Sequence, residues 1–161
     1  MNGKRAVRWG AVVSVVAVLA AVAGGSTASG ASQDGYTLRI GVGDIAIEHN
    51  TIDVPADGKY NLRILSEQGP ITLRNNVLYS FHSFRGAISI DASSRPGFVE
   101  DHDAVLGRFS IDGGDETIDF SGWQGLGYGG ASFETTPAAL FVAPGSDFHL
   151  RADAPAVDAG S

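Results

Sequence analysis

Asp101 and Asp103 stand two positions apart, a spacing that puts both carboxylates on one face of an extended strand. Paired carboxylates about 5 to 10 Å apart are what acid–base hydrolysis of a glycosidic bond requires, so this pair is the first place to look for chemistry. A second acidic group, Asp112, Asp115, Glu116 and Asp119, crowds one glycine-bearing loop. Clustered carboxylates on a glycine turn suit the flexible oxygen shell of calcium, which makes Asp112, Asp115 and Glu116 weak calcium candidates. The spacing matches no defined calcium loop, and a solvated turn is the simpler reading. Nucleophilic chemistry finds no support: there is no Gly-x-Ser-x-Gly elbow, and Gly41-x-Gly43 leads into a strand at Ile45, not into a phosphate-cradling helix.

Two further groups bear on binding. Lys59, Arg63, Arg74, Arg85, Arg95 and Arg108 are the dispersed cations, and Arg39 and Arg63 occupy equivalent positions in two similar strings. Stacked, these two arginines form either a solvated pair or a strip that meets the carboxylates of an acidic sugar. Trp123 and Tyr128 lie in Gly122-Trp-Gln-Gly-Leu-Gly-Tyr-Gly-Gly130. Their rings either stack on the apolar face of a sugar or plug the end of a packed core.

What must position these residues is a repeat. Tyr36-Thr-Leu-Arg-Ile40 returns as Tyr60-Asn-Leu-Arg-Ile64, and Ile45-Ala-Ile-Glu-His-Asn-Thr-Ile52 returns 26 positions on as Ile71-Thr-Leu-Arg-Asn-Asn-Val-Leu78. Phe98-Val-Glu-Asp-His-Asp-Ala-Val105 is a drifted third copy whose register is open by one residue. A unit of this size cannot close a core alone, but stacked on its neighbours it can. The predicted architecture is all-β: a right-handed parallel β-helix of three to four coils. The expected units are 36–59, 60–86 and 87–110, followed by a closing segment over 111–161.

Stacking explains a pair of asparagines in the middle of a strand pattern. Asn50 and Asn76 share a slot at a sharp corner, where Asn tolerates left-handed backbone and stacked side chains form a ladder. Asp103 takes that slot in the third unit, and the ladder is expected to end or bend there. His49, Asn75 and His102 share the neighbouring slot. His49 and His102 would then be two coils apart, roughly 9 to 10 Å, too far to chelate one ion; His82 and His149 are isolated. Glu48, Arg74 and then Glu100 or Asp101 form an outward column of alternating sign.

The totals bound the rest. Lys4, Arg5 and Arg8 precede an apolar run from Trp9 to Gly25 and small residues from Ser26 to Ser32. That is the pattern of a secretory signal over 1–31, with cleavage near Ala28 to Ala31; a retained membrane anchor is the alternative. Beyond it lie all 18 acidic residues and 8 of the 11 basic ones, a net charge of −10. So acidic a chain is not expected to condense on nucleic acid or, once the signal is removed, on an anionic membrane. With no cysteine, an exported chain must rely on packing and backbone pairing.

The coil strings resemble those of secreted right-handed parallel β-helix repeat proteins of the pectate-lyase-like superfamily. The order Trp123-Gln-Gly125, Phe141-Val142, Asp147-Phe-His-Leu150 and Pro155-Ala-Val-Asp-Ala-Gly160 resembles the C-terminal portion of that family. The resemblance covers roughly residues 36–161 and implies a closing strand through Phe148 and Leu150 over the last coil. It also implies relatives that are polysaccharide lyases or glycoside hydrolases. A lyase needs an Arg or Lys base beside calcium-binding carboxylates, and Arg95-Pro96 is only a fragment of the lyase-like Arg-x-Pro-x-x-Arg pattern. Family members usually carry more coils than this chain provides.

These readings lead to an extracellular, carbohydrate-associated β-helix domain without a complete catalytic site, for which no catalytic residue is assigned. No cofactor is expected, calcium aside. The expected partner is a polysaccharide or cell-surface glycan, and self-association through an uncapped coil edge is a further expectation. The alternatives are a polysaccharide lyase or glycoside hydrolase, and a structural surface module or truncated fragment without activity.

Overall fold

The computed structural model describes residues 36–40, 45–65 and 70–161, with the backbone alone for 36–40. The signal expected over 1–31 and the side chain of Arg39 lie outside the described residues. The first coil comprises β1 (Tyr36–Ile40), β2 (Ile45–Glu48) and β3 (Thr51–Val54); the second β4 (Tyr60–Ile64), β5 (Ile71–Arg74) and β6 (Val77–Ser80). The third comprises β7 (Ile88–Ile90), β8 (Phe98–Asp101) and β9 (Ala104–Leu106). A partial turn follows through β10 (Phe109–Ser110), α1 (Phe120–Gly125) and β11 (Phe133–Glu134), then α2 (Pro137–Leu140), β12 (Phe141–Ala143) and β13 (Asp147–Leu150).

Equivalent strands pair in parallel into three sheets, β1-β4-β7-β10, β2-β5-β8 and β3-β6-β9-β11, so the chain is a parallel β-solenoid of about three turns. Tyr36 stands opposite Tyr60 and Ile45 opposite Ile71, and Ile71 in turn stands opposite Phe98. That settles the third unit: Arg74 pairs with Asp101, and Glu100 sits opposite Leu73. The outward column is therefore Glu48, Arg74 and Asp101, while Glu100 faces the interior and is buried.

Each strand of the β2-β5-β8 sheet alternates as a half-buried strand should. Ile45 and Ile47, Ile71 and Leu73, and Phe98 point inward with Ile52, Leu62, Ile88 and Val105 into one core, while Ala46, Glu48, Arg74 and Val99 stay exposed. Burying each such Ile or Leu contributes roughly 1.5–3 kcal/mol. β4, β6 and β7 behave differently. Val77, Leu78 and Tyr79 are all buried, because both faces of β6 are covered.

The cover on that outer face is the C-terminal segment. Val77, Tyr79 and Ala104 pack with Leu140, Phe141, Ala154 and Ala156, flanked by Phe133, Phe148 and Leu150. The rings of Tyr79 and Phe141 meet edge to face at 6.1 Å. The expectation that Phe148 and Leu150 close the last coil is thus corrected. β12 and β13 form an antiparallel pair laid along the side of the solenoid, because that side offers unpaired apolar groups. The coil end is instead plugged by Trp123 of α1. Its ring stacks on Phe109 at 4.7 Å and 16°, and contacts Tyr128 at 4.4 Å and Phe98 at 6.0 Å. Asp119 caps α1 by accepting from Gly122 N at 2.8 Å.

Candidate functional site

A corner joins β2 to β3, β5 to β6 and β8 to β9, and it carries a polar file through the protein. His49, Asn75 and His102 hold the left-handed conformation, with φ of 59°, 57° and 58°. The strained position is therefore one residue before the ladder slot, not at Asn50 and Asn76 as the sequence suggested. Having turned the chain, it frees the following residue to point inward. Asn50 N donates to Asn76 Oδ1 at 3.1 Å, Asn76 N to Asp103 Oδ1 at 2.6 Å, and Asp103 N to Ser132 Oγ at 2.9 Å. Each backbone donor is satisfied by a side chain of the next coil. The ladder does not stop at Asp103; it continues to a serine.

Beneath that last step lies a carboxyl pair. Glu100 and Asp103 are 2% and 0% exposed. Glu100 Oε2 accepts from Trp123 Nε1 at 2.7 Å, and its Oε1 accepts from the Ser132 hydroxyl at 2.6 Å, which frees that hydroxyl's lone pairs for Asp103 N–H. Glu100 is thus used as an acceptor on both oxygens, which is the work of a carboxylate. Asp103 Oδ1 accepts from the backbone and side-chain nitrogens of Asn76, at 2.6 and 3.0 Å, whereas its Oδ2 is buried without a donor. A dry oxygen costs less as an O–H only if that proton finds an acceptor, and the Glu100 carboxyl is the neighbouring acceptor. Burial first, then the Glu100 charge, push Asp103 up to about 9. Burial also raises Glu100, opposed by the bonds from Ser132 and Trp123. The donors on both Glu100 oxygens and the donorless Asp103 Oδ2 place the pair's shared proton on the Asp103 side.

This arrangement is a structural use of two acids. Asp101, the partner predicted for Asp103, lies on the other side of the strand; it accepts from Ala131 N at 2.6 Å and approaches His102 Nδ1 at 3.3 Å. Glu100 was missed as an inward group. The signal for it is positional: it stands three residues before Asp103, as Ile47 stands before Asn50 and Leu73 before Asn76.

The other predicted residues are placed as follows. Arg63 is half-buried beneath the 111–117 loop and donates from Nη2 to Gly113 O at 3.0 Å. It stands opposite Arg39 in the backbone register, and opposite Ser89 on the other side. Trp123 is fully buried and Tyr128 half-buried, each packed against the core, so the Trp123 ring has no face for a sugar. Asp112 folds back on its own loop, accepting from Ser110 Oγ and from Gly114, Asp115 and Glu116 N–H groups. The Ser110 bond and then these amides hold its carboxyl below the usual range. Asp115 and Glu116 reach Asp112 through backbone N–H groups, which is the geometry of a capped turn. Among the described residues, no group of three or more His, Cys, Asp or Glu side chains is arranged to hold a metal ion.

Exposed rings and cations lie on another corner, where β3, β6 and β9 lead into β4, β7 and β10. Phe81 and Phe84 are 47% and 44% exposed there. His82 organises their loop, its Nδ1 accepting from Phe84 N at 3.0 Å and Arg85 N at 2.9 Å. Counted back from Leu62 opposite Ile88, Lys59 stands beside Arg85; counted back from Phe109 opposite Ile88, Arg108 stands beside Ala87, two positions off that file. A Cβ on Gly86 would fall 1.8 Å from Arg108 N, so the two turns are in direct backbone contact. Comparison of the chain with protein-family models, with curated proteins and with solved structures finds no match in any of the three.

Proposed function

We propose that this chain is a carbohydrate-associated module of an exported protein, built on a β-solenoid of the pectate-lyase-like kind, that holds an acidic glycan at its surface and cleaves no bond itself. The observation that carries this reading is the corner of Phe81 and Phe84 with Lys59, Arg85 and Arg108. Exposed rings offer apolar faces for sugar stacking, and Lys59 and Arg85 on adjacent coils, with Arg108 offset by two positions, offer cations to sugar carboxylates. The reading without catalysis is supported by the fate of the buried acid pair: Glu100 and Asp103 are held in the cap, away from water. Export rests on the pattern of residues 1–31.

Affinity electrophoresis through gels containing polygalacturonate or a neutral galactan tests the proposal. Retardation is expected in the acidic gel, with loss in Phe84→Ala and Arg85→Ala variants that keep the native melting profile. No retardation in either gel refutes glycan association. Release of unsaturated or reducing-end uronate would instead make the chain a lyase or hydrolase.

A further inference from the structure

The cap of the solenoid is fastened by hydrogen bonds that end on two buried acids, and no cation is seen among the partners of either. We infer that Glu100 and Asp103 form a proton-operated latch, which holds α1 and the 126–132 segment on the last coil while the pair keeps its shared proton and loosens them as that proton is lost. Trp123 from α1 and Ser132 from the following segment both bond to Glu100. The backbone adds Gly129 N to Glu100 O at 2.8 Å and Phe133 N to Asp103 O at 3.0 Å. Cap and pair therefore cannot separate without breaking one another's bonds.

The charged and titratable surroundings are few. Asp101 and His102 lie on the same turn and face each other across 3.3 Å. Arg74 of β5 stands opposite Asp101 on the outer face. α1 carries no acidic residue in its first turn and no basic one in its last, its N-cap Asp119 being bonded to Gly122. Tyr128 and Phe98 close the remaining side as aromatic packing. Neither Arg74 nor His102 is among the groups bonded to the pair, and the Asp101 charge opposes ionisation of Glu100. Two carboxylates so placed must hydrate, and water reaches them only if the cap lifts.

Because Asp103 binds its proton more tightly when the cap is closed than when it is open to water, closure is favoured at low pH and weakens as pH rises. The expected readout is hydrogen exchange of the α1 amides, corrected for intrinsic rates. Protection at Trp123, Leu126 and Gly127 should fall up to tenfold per pH unit from about pH 5, levelling near pH 9 where Asp103 ionises in the closed state. Amides of β4 and β7 should keep their protection where the global stability allows it, and the Trp123 indole proton should follow α1. Asp103→Asn puts an uncharged donor beside Glu100 and should flatten most of the α1 profile; Glu100→Gln removes the second charge but leaves Asp103 buried, so the sloped range should shorten from its high-pH end. Loss of α1 protection only together with β4 and β7, or a profile unchanged in both slope and pH range in whichever of the two variants folds, overturns the latch.

Discussion

Truncating Asn76 to alanine should be far more damaging than the same change at Asn50, although the two occupy equivalent slots. Asn76 is fully buried. Its Oδ1 accepts from Asn50 N at 3.1 Å and Asn50 Nδ2 at 3.2 Å; its Nδ2 donates to Ile47 O at 2.9 Å and Asp103 Oδ1 at 3.0 Å. Alanine deletes all four bonds, leaves the Ile47 carbonyl and the Asn50 amide short of partners, and opens a polar cavity too small to be filled by a neighbour. Each lost bond is worth about 0.5–1.5 kcal/mol, and a buried group left unsatisfied costs about 1–3 kcal/mol. The expected loss is roughly 3–5 kcal/mol, a large part of the 5–15 kcal/mol typical of a folded domain. Asn50 is half-exposed, and its side chain donates to Glu48 O and to Asn76. Water replaces those partners, so Asn50→Ala should cost about 1 kcal/mol. Urea denaturation followed by far-ultraviolet circular dichroism gives both values from the midpoint shift at constant m. Equal losses, or a loss below about 1 kcal/mol for Asn76→Ala, would refute the claim that the ladder carries the stacking.

Gly86→Ala should lose at least about 3 kcal/mol or fail to fold, since its Cβ would meet the Arg108 backbone at 1.8 Å, whereas Gly125→Ala, with nothing within 4 Å, should gain up to about 1 kcal/mol; thermal melts separate the two. Trp123→Leu should cost about 3–5 kcal/mol in the same melts, because it empties the stack on Phe109 and Tyr128 and leaves Glu100 without its indole donor. Asp112 has its folded value lowered, so the order it gives the 111–117 loop is present above about pH 4 and lost as pH falls further. The Gly114 and Glu116 amide resonances should shift together on acidification, and Asp112→Ala should remove that transition.

How much of this was legible follows from what each residue's neighbours are. The solenoid was readable because Asn50 and Asn76 lie 26 residues apart inside matching strings, and a stack forces matching side chains into file. Corner strain was assigned one residue late, since asparagine occurs at both Asn75 and Asn76 and its type alone does not say which adopts positive φ; the histidines at 49 and 102 do. The lateral seat of the C-terminal pair was signalled only indirectly. Val77-Leu78-Tyr79 breaks the alternation seen in Ile45-Ala-Ile-Glu48, and an unbroken apolar run means that both faces are covered. Which segment supplies the cover is a matter of tertiary packing that no local pattern encodes.

The choice of acids at the cap has a physical logic that also explains why they escaped notice. An isolated asparagine ladder propagates indefinitely, because each amide gives and takes alike. Ending it requires a residue that accepts from the coil behind and also faces cap groups that mostly donate. Trp123 Nε1–H is a donor only, and the Ser132 hydroxyl, accepting from Asp103 N, directs its proton at Glu100. Glu100 answers both donors, and burial together with the Glu100 charge favours the proton on Asp103. A glutamine at 100 would leave one donor facing another unless its amide turned and Ser132 reversed its bond. The ladder is therefore terminated by charge balance, so raising pH should act first on the cap and only later on the coils.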